Sequence, residues 1–318
     1  MQLPTIGEIR AAHSRIRPQV HWTPVLRSSS LDTITGSLLF FKCENFQKVG
    51  AFKFRGATNA VMQLGKDAGS KGVVTHSSGN HAAALALAAS RAGLPAYIVM
   101  PSNAPDVKKQ AVQGYGARIT FCEPTLKARE ETTTTIMQET GATLVHPYDN
   151  HDVICGQGTA ALELIEEIPG LDIIVAPVGG GGLMSGTLIA ARGINPAIRV
   201  YGAEPLGADD ASRSVRCGTL QPSVNPGTIA DGLLTSLSER TFAVISANID
   251  DILTVSEQSI IACMKMVWER MKIIIEPSSA TVLAAVMENK QLFAGKRTGL
   301  IISGGNVDLL RLPFNQIS

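Results

Sequence analysis

Short apolar runs alternate with longer helical stretches along most of this chain, and that alternation constrains its fold more than any other feature. "KGVVTH" leads to a helix from about Asn80, "AYIVM" to one from about Pro105 and "ARITFC" to one from about Thr125. The pattern resumes with "DIIVAPV" and "IRVYGAE", each followed by a helix, and closes on "TGLIISGG". Runs this short and apolar read as strands buried on both faces, and strands separated by helices pair in parallel. The expected class is therefore α/β, with mostly parallel sheets covered by helices. Two clusters of such units, separated near Tyr148 by "HPYDNHD", predict two lobes. In open parallel sheets ligands sit beyond the carboxyl ends of the strands. The least ordinary stretches fall there: "HSSGNH", "GGGG", "AEPLGADD" and "SGGN".

Bulk properties exclude several functions. With 318 residues and 45% hydrophobic content the chain can bury a large core. Twenty-eight basic against 27 acidic residues give a net charge of +1, without a charge run that would mark nucleic acid or an anionic membrane as partner. The five cysteines (Cys43, Cys122, Cys155, Cys217, Cys263) are scattered and contain no C-x-x-C pair, which argues against a disulfide framework or a thiolate zinc site and fits a reducing cytoplasm. The N-terminal stretch lacks the apolar core of a signal peptide, and Thr5 with Glu8 makes a capping box opening a helix. Ile173 to Ala191 is uncharged and nearly long enough to span a bilayer, but Pro177 and four glycines would break such a helix. Strand, glycine turn and helix is the better parse.

Four constellations could carry chemistry. Lys53 sits between Phe52 and Phe54 in "KVGAFKFRGATNA", and burial there would lower its pKa and raise its nucleophilic fraction. Gly179, Gly180, Gly181 and Gly182 lead into a helix whose N-terminus favours an anion. Read instead as a dinucleotide fingerprint from Gly180, the motif breaks at Ser185. "THSSGNH" supplies Ser77, Ser78, Asn80 and His81 before an alanine-rich helix. Glu204 and Asp210 flank "PLGAD". Taken singly each has a plainer reading: a surface lysine, a packing device, a helix cap by Asn80, and solvated acids.

Together, "GAFKFRGA", "SSGNHAAA", "VGGGGLMSG", "AEPLGADDA", "ERMKIIIEPSSA" and "LIISGGNVDL" resemble, in order and spacing, the fold-type II pyridoxal phosphate enzymes (tryptophan synthase β-like), in the branch of serine racemases and serine/threonine dehydratases. The resemblance runs from about Thr23 to Leu309. It implies two lobes, each with a mostly parallel twisted sheet flanked by helices. A large cofactor-binding domain would comprise 1–71 and 149–318, and a small mobile domain 72–148. Lys53 would carry the pyridoxal 5'-phosphate and act as base on one face of the substrate Cα, with Phe52 beside the ring. Gly179 to Gly182 and Leu183 would hold the phosphate, Asn80 the phenolic oxygen, and Ser303 would face the pyridine nitrogen. Ser78 matches the acid/base residue of the opposite face, which racemisation requires. Ser77, Ser78, Asn80, His81, Arg129 and Thr235 would bind substrate. Glu204, the carbonyl of Ala208 and Asp210 match a magnesium site, equally suited to calcium or manganese. Lys48, Lys272 and Asn306 fall where relatives bind ATP, an activator, at a subunit interface.

The implied activity is interconversion of L- and D-serine with elimination of serine to pyruvate and ammonia, in a cytoplasmic homodimer. An ammonia-lyase acting on L-threonine or 3-hydroxyaspartate is the alternative, with Arg129 as the cation for a β-carboxylate. A phosphate-binding protein without chemistry would leave a buried Lys53 without purpose. Two departures stand out: Ala51 replaces the serine that often precedes the phenylalanine and lysine, and Thr235 replaces a serine near the substrate carboxylate.

Overall fold

A computed structural model describes residues 2–77, 79–104 and 106–315, without the side chains of Lys66, Asp67, Val107 and Asn315. Ten strands follow in chain order: β1 (Val25–Leu26), β2 (Leu38–Cys43), β3 (Val73–His76), β4 (Ala96–Pro101), β5 (Arg118–Cys122), β6 (Thr143–Leu144), β7 (Ile173–Pro177), β8 (Arg199–Pro205), β9 (Asp251–Val255) and β10 (Arg297–Ile302). The helices of the first half are α1 (Ile6–Ile16), α2 (Ser29–Thr35), α3 (Lys53–Met62), α4 (Lys66–Lys71), α5 (Asn80–Ala92), α6 (Asp106–Gly114) and α7 (Leu126–Thr140). Those of the second half are α8 (His151–Glu167), α9 (Gly182–Ile194), α10 (Asp210–Cys217), α11 (Glu239–Asn248), α12 (Glu257–Met271), α13 (Pro277–Glu288) and α14 (Lys290–Phe293).

The strands form two sheets, ordered β1-β2-β10-β7-β8-β9 and β5-β4-β3-β6. All pairings are parallel except β1 with β2. In the larger sheet β10 is central, with Leu300 opposite Phe41 on one side and Val175 on the other. Successive side chains of a strand point to opposite faces. Phe40, Ile174, Ala176 and Ile301 accordingly pack with α1, α8, α9 and α11, while Leu39, Phe41, Ile173, Val175 and Leu300 pack with α12 and α13. The smaller sheet is covered by α3 and α5 through Val73, Ile98 and Met100, and by α7 through Val74 and Val99.

The uncharged stretch 173–191 resolves into β7, a glycine loop and α9, and no helix among the described residues is long and apolar enough to cross a membrane. The Thr5/Glu8 capping box forms as expected. Strands β1, β2, β6 and β9 were not foreseen.

Helix α3 places the site. Phe54, Ala57, Ala60 and Val61 join the core beneath the smaller sheet. Its other face meets α8 with almost no spacing, since a Cβ on Gly156 would lie 2.5 Å from the Arg55 carbonyl oxygen and 2.7 Å from the Cα of Gly56. Lys53, the first residue of α3, follows directly on the chain that is bonded to the segment just beyond the carboxyl end of β10.

Candidate active site

The chain before Lys53 is clamped onto the end of β10. Phe52 donates its N–H to the Ser303 carbonyl (2.9 Å), Ala51 bridges to Gly304, and Gly305 donates to Gly50 O (2.9 Å). Val49 is held in the left-handed region (φ 58°), a costly state for a β-branched residue. Lys53 is half-buried; its ammonium donates to the Pro147 carbonyl at 2.8 Å and lies 5.0 Å from the Phe52 ring centre. Desolvation lowers its pKa to about 8, although Glu276 acts in the opposite sense. A substantial neutral fraction near physiological pH suits a group that must be both nucleophile and base.

The tetraglycine loop is buried and leads into α9 with no side chain capping the helix N-terminus. A Cβ at any of its four positions would crowd a neighbour, at Gly181 the Leu237 and Thr241 side chains (2.7 and 2.8 Å). A Cβ at Gly180 would collide with the Tyr148 ring, one at Gly182 would approach Gln157 Oε1 to 2.6 Å, and one at Gly179 the Gly232 carbonyl oxygen to 3.0 Å. Gly181, at φ 85°, turns the chain into the helix. Uncapped N–H groups beside close-approach glycines suit a phosphate. With the low-pKa amine of Lys53 near the same floor, the residues present fit pyridoxal phosphate.

Asn80 is not a helix cap. The capping position is Gly79, and the Asn80 amide nitrogen lies 3.1 Å from both oxygens of Glu276 while its Oδ1 accepts from Asn306 Nδ2 (2.9 Å). Burial raises the Glu276 pKa to about 7. Ser303 is buried against Ser279, with the hydroxyl oxygens 3.0 Å apart. Leu183 occupies the first turn of α9 and points into the core. Ser77 Oγ accepts from Gly79 N–H (3.3 Å), whereas Ser78 lies outside the described residues. His81 is buried with Nε2 3.0 Å from the Val145 carbonyl oxygen, and desolvation pushes its pKa down to about 3. Arg129 is on α7, half-buried, in no ion pair among the described residues, and close enough to His76 and Tyr148 to act on both electrostatically. Thr235 is exposed on the loop before α11.

Glu204 is the penultimate residue of β8, and its two carboxylate oxygens accept from Ala211 N–H (3.0 Å) and Ser212 N–H (2.9 Å) at the start of α10. Both Asp210 oxygens are buried and, among the described residues, meet no donor in hydrogen-bond geometry. Desolvation raises Glu204 to about 8 and Asp210 to about 6. Two desolvated acids with unmet acceptor capacity, beside buried Ala208, fit a hard dication. No group of three or more His, Cys, Asp or Glu side chains arranged to hold a metal is present among the described residues, so backbone oxygen and water would complete the shell.

Lys48 and Asn306 meet at one turn: Asn306 Nδ2 donates to Val49 O (2.7 Å) and the Lys48 ammonium to Gln19 O. Lys272 instead folds back on the Glu269 carbonyl of its own helix (2.6 Å). Three contributors escaped the sequence reading. Glu276 was visible only as an acid preceding the proline that opens α13 in "IIIEPSSA". Pro147 acts through its carbonyl, which has no side-chain signature. Gln157, fully buried in α8, lay in an unremarked "GQG".

The parallel sheets, an amine at their junction and a glycine cradle on a helix N-terminus define a fold-type II pyridoxal phosphate enzyme. The pyridoxal-phosphate dependent enzyme family matches residues 16–304, and the chain belongs to it. It is 52% identical over 315 residues to the serine racemase of Dictyostelium discoideum, covering 97% of both chains. It is 49% identical over 315 residues to the beta-hydroxyaspartate dehydratase of Paracoccus denitrificans, covering 99% of this chain and 100% of that protein. The solved structure of maize serine racemase superposes with a TM-score of 0.95 at 47% identity, covering 97% of this chain and 95% of that one.

Proposed function

We propose that this protein is a serine racemase that interconverts L- and D-serine and also eliminates water from serine, giving pyruvate and ammonia. The observation that carries the reading is Lys53, a desolvated amine with its pKa lowered to about 8 at the junction of the sheets. Bound pyridoxal phosphate supplies the electron sink that makes the substrate Cα–H acidic. Lys53 holds the cofactor and removes the Cα proton on its face. Gly179 to Gly182, with the Leu183 turn, bind the phosphate; Asn80 orients the phenolic oxygen and Ser303 the pyridine nitrogen. Glu276, unforeseen, fixes the Asn80 amide. Ser77, Thr235 and the backbone N–H of His81 in the first turn of α5 receive the substrate carboxylate, and Ser78 exchanges a proton on the face opposite Lys53. The segment 72–148 moves as a small domain against 1–71 and 149–318, and the Lys108–Asp231 pair (2.6 Å) joins them.

Ser78→Ala tests the two-face arrangement. Interconversion of the serine enantiomers is expected to fall by on the order of 10² or more, whereas elimination from L-serine, which needs no proton on the second face, persists. Chiral chromatography with pyruvate measured in parallel reads both. Equal losses would make Ser78 a substrate-positioning residue.

We assign Glu204, the Ala208 carbonyl and Asp210 to magnesium, with calcium or manganese as substitutes. Magnesium at about 100 times its Kd should then stabilise the protein by about 2.7 kcal/mol. Asp210→Asn should lose that response while raising the melting temperature of the metal-free chain, because it removes a charge whose desolvation outweighs the favourable action of Ser223 and Arg213 on it. A melting temperature indifferent to chelator refutes the site. Lys48 and Asn306, with Lys272, form the ATP site in a cytoplasmic homodimer; binding measured by calorimetry tests it.

The similarity to a beta-hydroxyaspartate dehydratase, together with Arg129 lacking a carboxylate partner among the described residues, supports a second reading, an ammonia-lyase for 3-hydroxyaspartate or L-threonine. Wild-type protein that eliminates from these substrates without racemising serine would establish it.

A further inference from the structure

The "CGQGT" turn of α8 is wedged between the two helices that matter most. Gly156 meets α3 at Arg55 and Gly56, and Gly158 meets α9, where a Cβ on Gly186 would lie 2.5 Å from Gly158 N. Between them, Gln157 is fully buried. Its Nε2 lies 3.4 Å from the Pro147 carbonyl oxygen, the same atom that accepts from Lys53 Nζ at 2.8 Å. A carbonyl oxygen has two lone pairs, and these two donors share them. The other end of the side chain, Oε1, is buried without a donor among the described residues and faces Gly182 at the start of α9. A buried amide left half-satisfied costs stability, so its retention calls for a reason.

We propose that Gln157 is a positioning residue for Lys53: it fixes the Pro147 carbonyl as the acceptor at which Lys53 rests whenever it is not bonded to the cofactor. The inference rests on the reading of Lys53 as cofactor-bearing base. When the substrate Cα–H bond breaks, its electron pair stays with the substrate and the proton goes to the Lys53 amine, giving an ammonium with three N–H donors. The Pro147 carbonyl takes one of them and aims the nitrogen. When the proton leaves again, the same contact holds the neutral amine in reach. The charged or titratable groups acting on Lys53 are Glu276, at the start of α13, His81 on α5 and His146 before α8. Gln157 adds an uncharged constraint to that set.

The test uses Gln157→Met, near in volume but without hydrogen bonds, and Gln157→Glu, which brings a carboxylate to the amine. The methionine variant should lose on the order of ten- to a hundredfold in kcat with KM little changed, since Lys53 is misaimed while substrate binding is kept. In the glutamate variant the limb of the kcat–pH profile belonging to Lys53 should move up by about one unit or more, because a nearby negative charge favours the ammonium. A second readout needs no turnover. The rate at which the cofactor-stripped full chain captures pyridoxal phosphate, followed by absorbance against pH, requires a neutral amine and should show the same displacement. If both variants keep the wild-type melting temperature, pH limb and capture profile, Gln157 only fills space and the proposal is overturned. If the methionine variant does not fold, the glutamate variant still decides by its pH limb. A wild-type chain that captures no pyridoxal phosphate would instead overturn the reading of Lys53 itself.

Discussion

Lys53→Ala is expected to abolish racemisation and elimination together, by a factor on the order of 10⁴ or more, and to remove the visible absorbance of bound cofactor. Three other amines are already engaged elsewhere. Lys42 is buried in an ion pair with Glu163 at 2.7 Å, the Lys48 ammonium is bound to Gln19 O, and Lys108 pairs with Asp231. The same substitution should not destabilise the cofactor-free chain. The folded-state pKa of Lys53 is lowered from 10.5 to about 8, so below pH 8 the native state bears the full cost of a desolvated ammonium. Between about pH 8 and 10.5 the unfolded chain binds more protons than the native one, so wild-type stability rises with pH across that window. Alanine removes the cost and with it that part of the slope. Denaturant melts of both cofactor-free proteins from pH 7 to 10.5, with turnover and absorbance of the loaded forms, check each statement. A variant that keeps its cofactor band and normal rates would remove Lys53 from the mechanism.

What the sequence revealed of this site follows the range of the interactions involved. Strands β3, β4, β7, β8 and β10 were legible because a buried parallel strand writes itself as a local apolar run bounded by turn residues, whereas β5, read as the same kind of run, is an edge strand whose residues are half-buried or exposed. Lys53 and the four glycines were legible because their peculiarity is local: a cation among phenylalanines, and glycines before a helix. Strand β2, "LLFFKC", hides behind Lys42, a residue that looks foreign to a buried strand until Glu163, more than a hundred residues away, is found against it. Strands β1 and β6 have two residues each, too few for any periodicity. Asn80 read as a cap because the residue type fits one; its contact with Glu276 spans 196 positions, and no local pattern encodes it. Pro147 contributes a backbone atom, and Gln157 matters through the contacts of the glycines on either side of it. Local chemistry was thus visible from residue types, while the groups that aim it were set by tertiary packing.

Arg55 makes the same point in stability. Two residues beyond Lys53 it is fully buried, with Nε and Nη2 on Glu44 (2.7 and 2.9 Å) and Nη1 and Nη2 on Glu163 (both 2.7 Å). Lys42 completes the cluster on Glu163, so two cations and two anions balance. Burial alone would lower the Arg55 pKa, but the two carboxylates hold it well above its ordinary value. For Glu163 burial alone would act upward, and hydrogen bonding from His13 with the Arg55 and Lys42 charges lowers it to about 2. Arg55→Met strips the fork from both carboxylates and leaves Lys42 to face two buried anions. Removing one partner of a buried ion pair costs about 3–5 kcal/mol, a large part of the roughly 5–15 kcal/mol that holds a domain together. Arg55→Lys, which keeps the charge but not the two-sided fork, should fall between. The acid limb supplies a signed check. A carboxyl with its folded pKa lowered contributes stability that is present above its unfolded value near 4.5 and is lost as pH falls towards 2. With Arg55 gone the Glu163 pKa rises towards or beyond its unfolded value, so the variant should show a smaller loss of stability between pH 4.5 and 2 than wild type. Urea melts at neutral pH and down that range read both effects. An Arg55→Met protein as stable as wild type, with the same acid slope, would mean that the network contributes no net energy to holding α3 under Lys53.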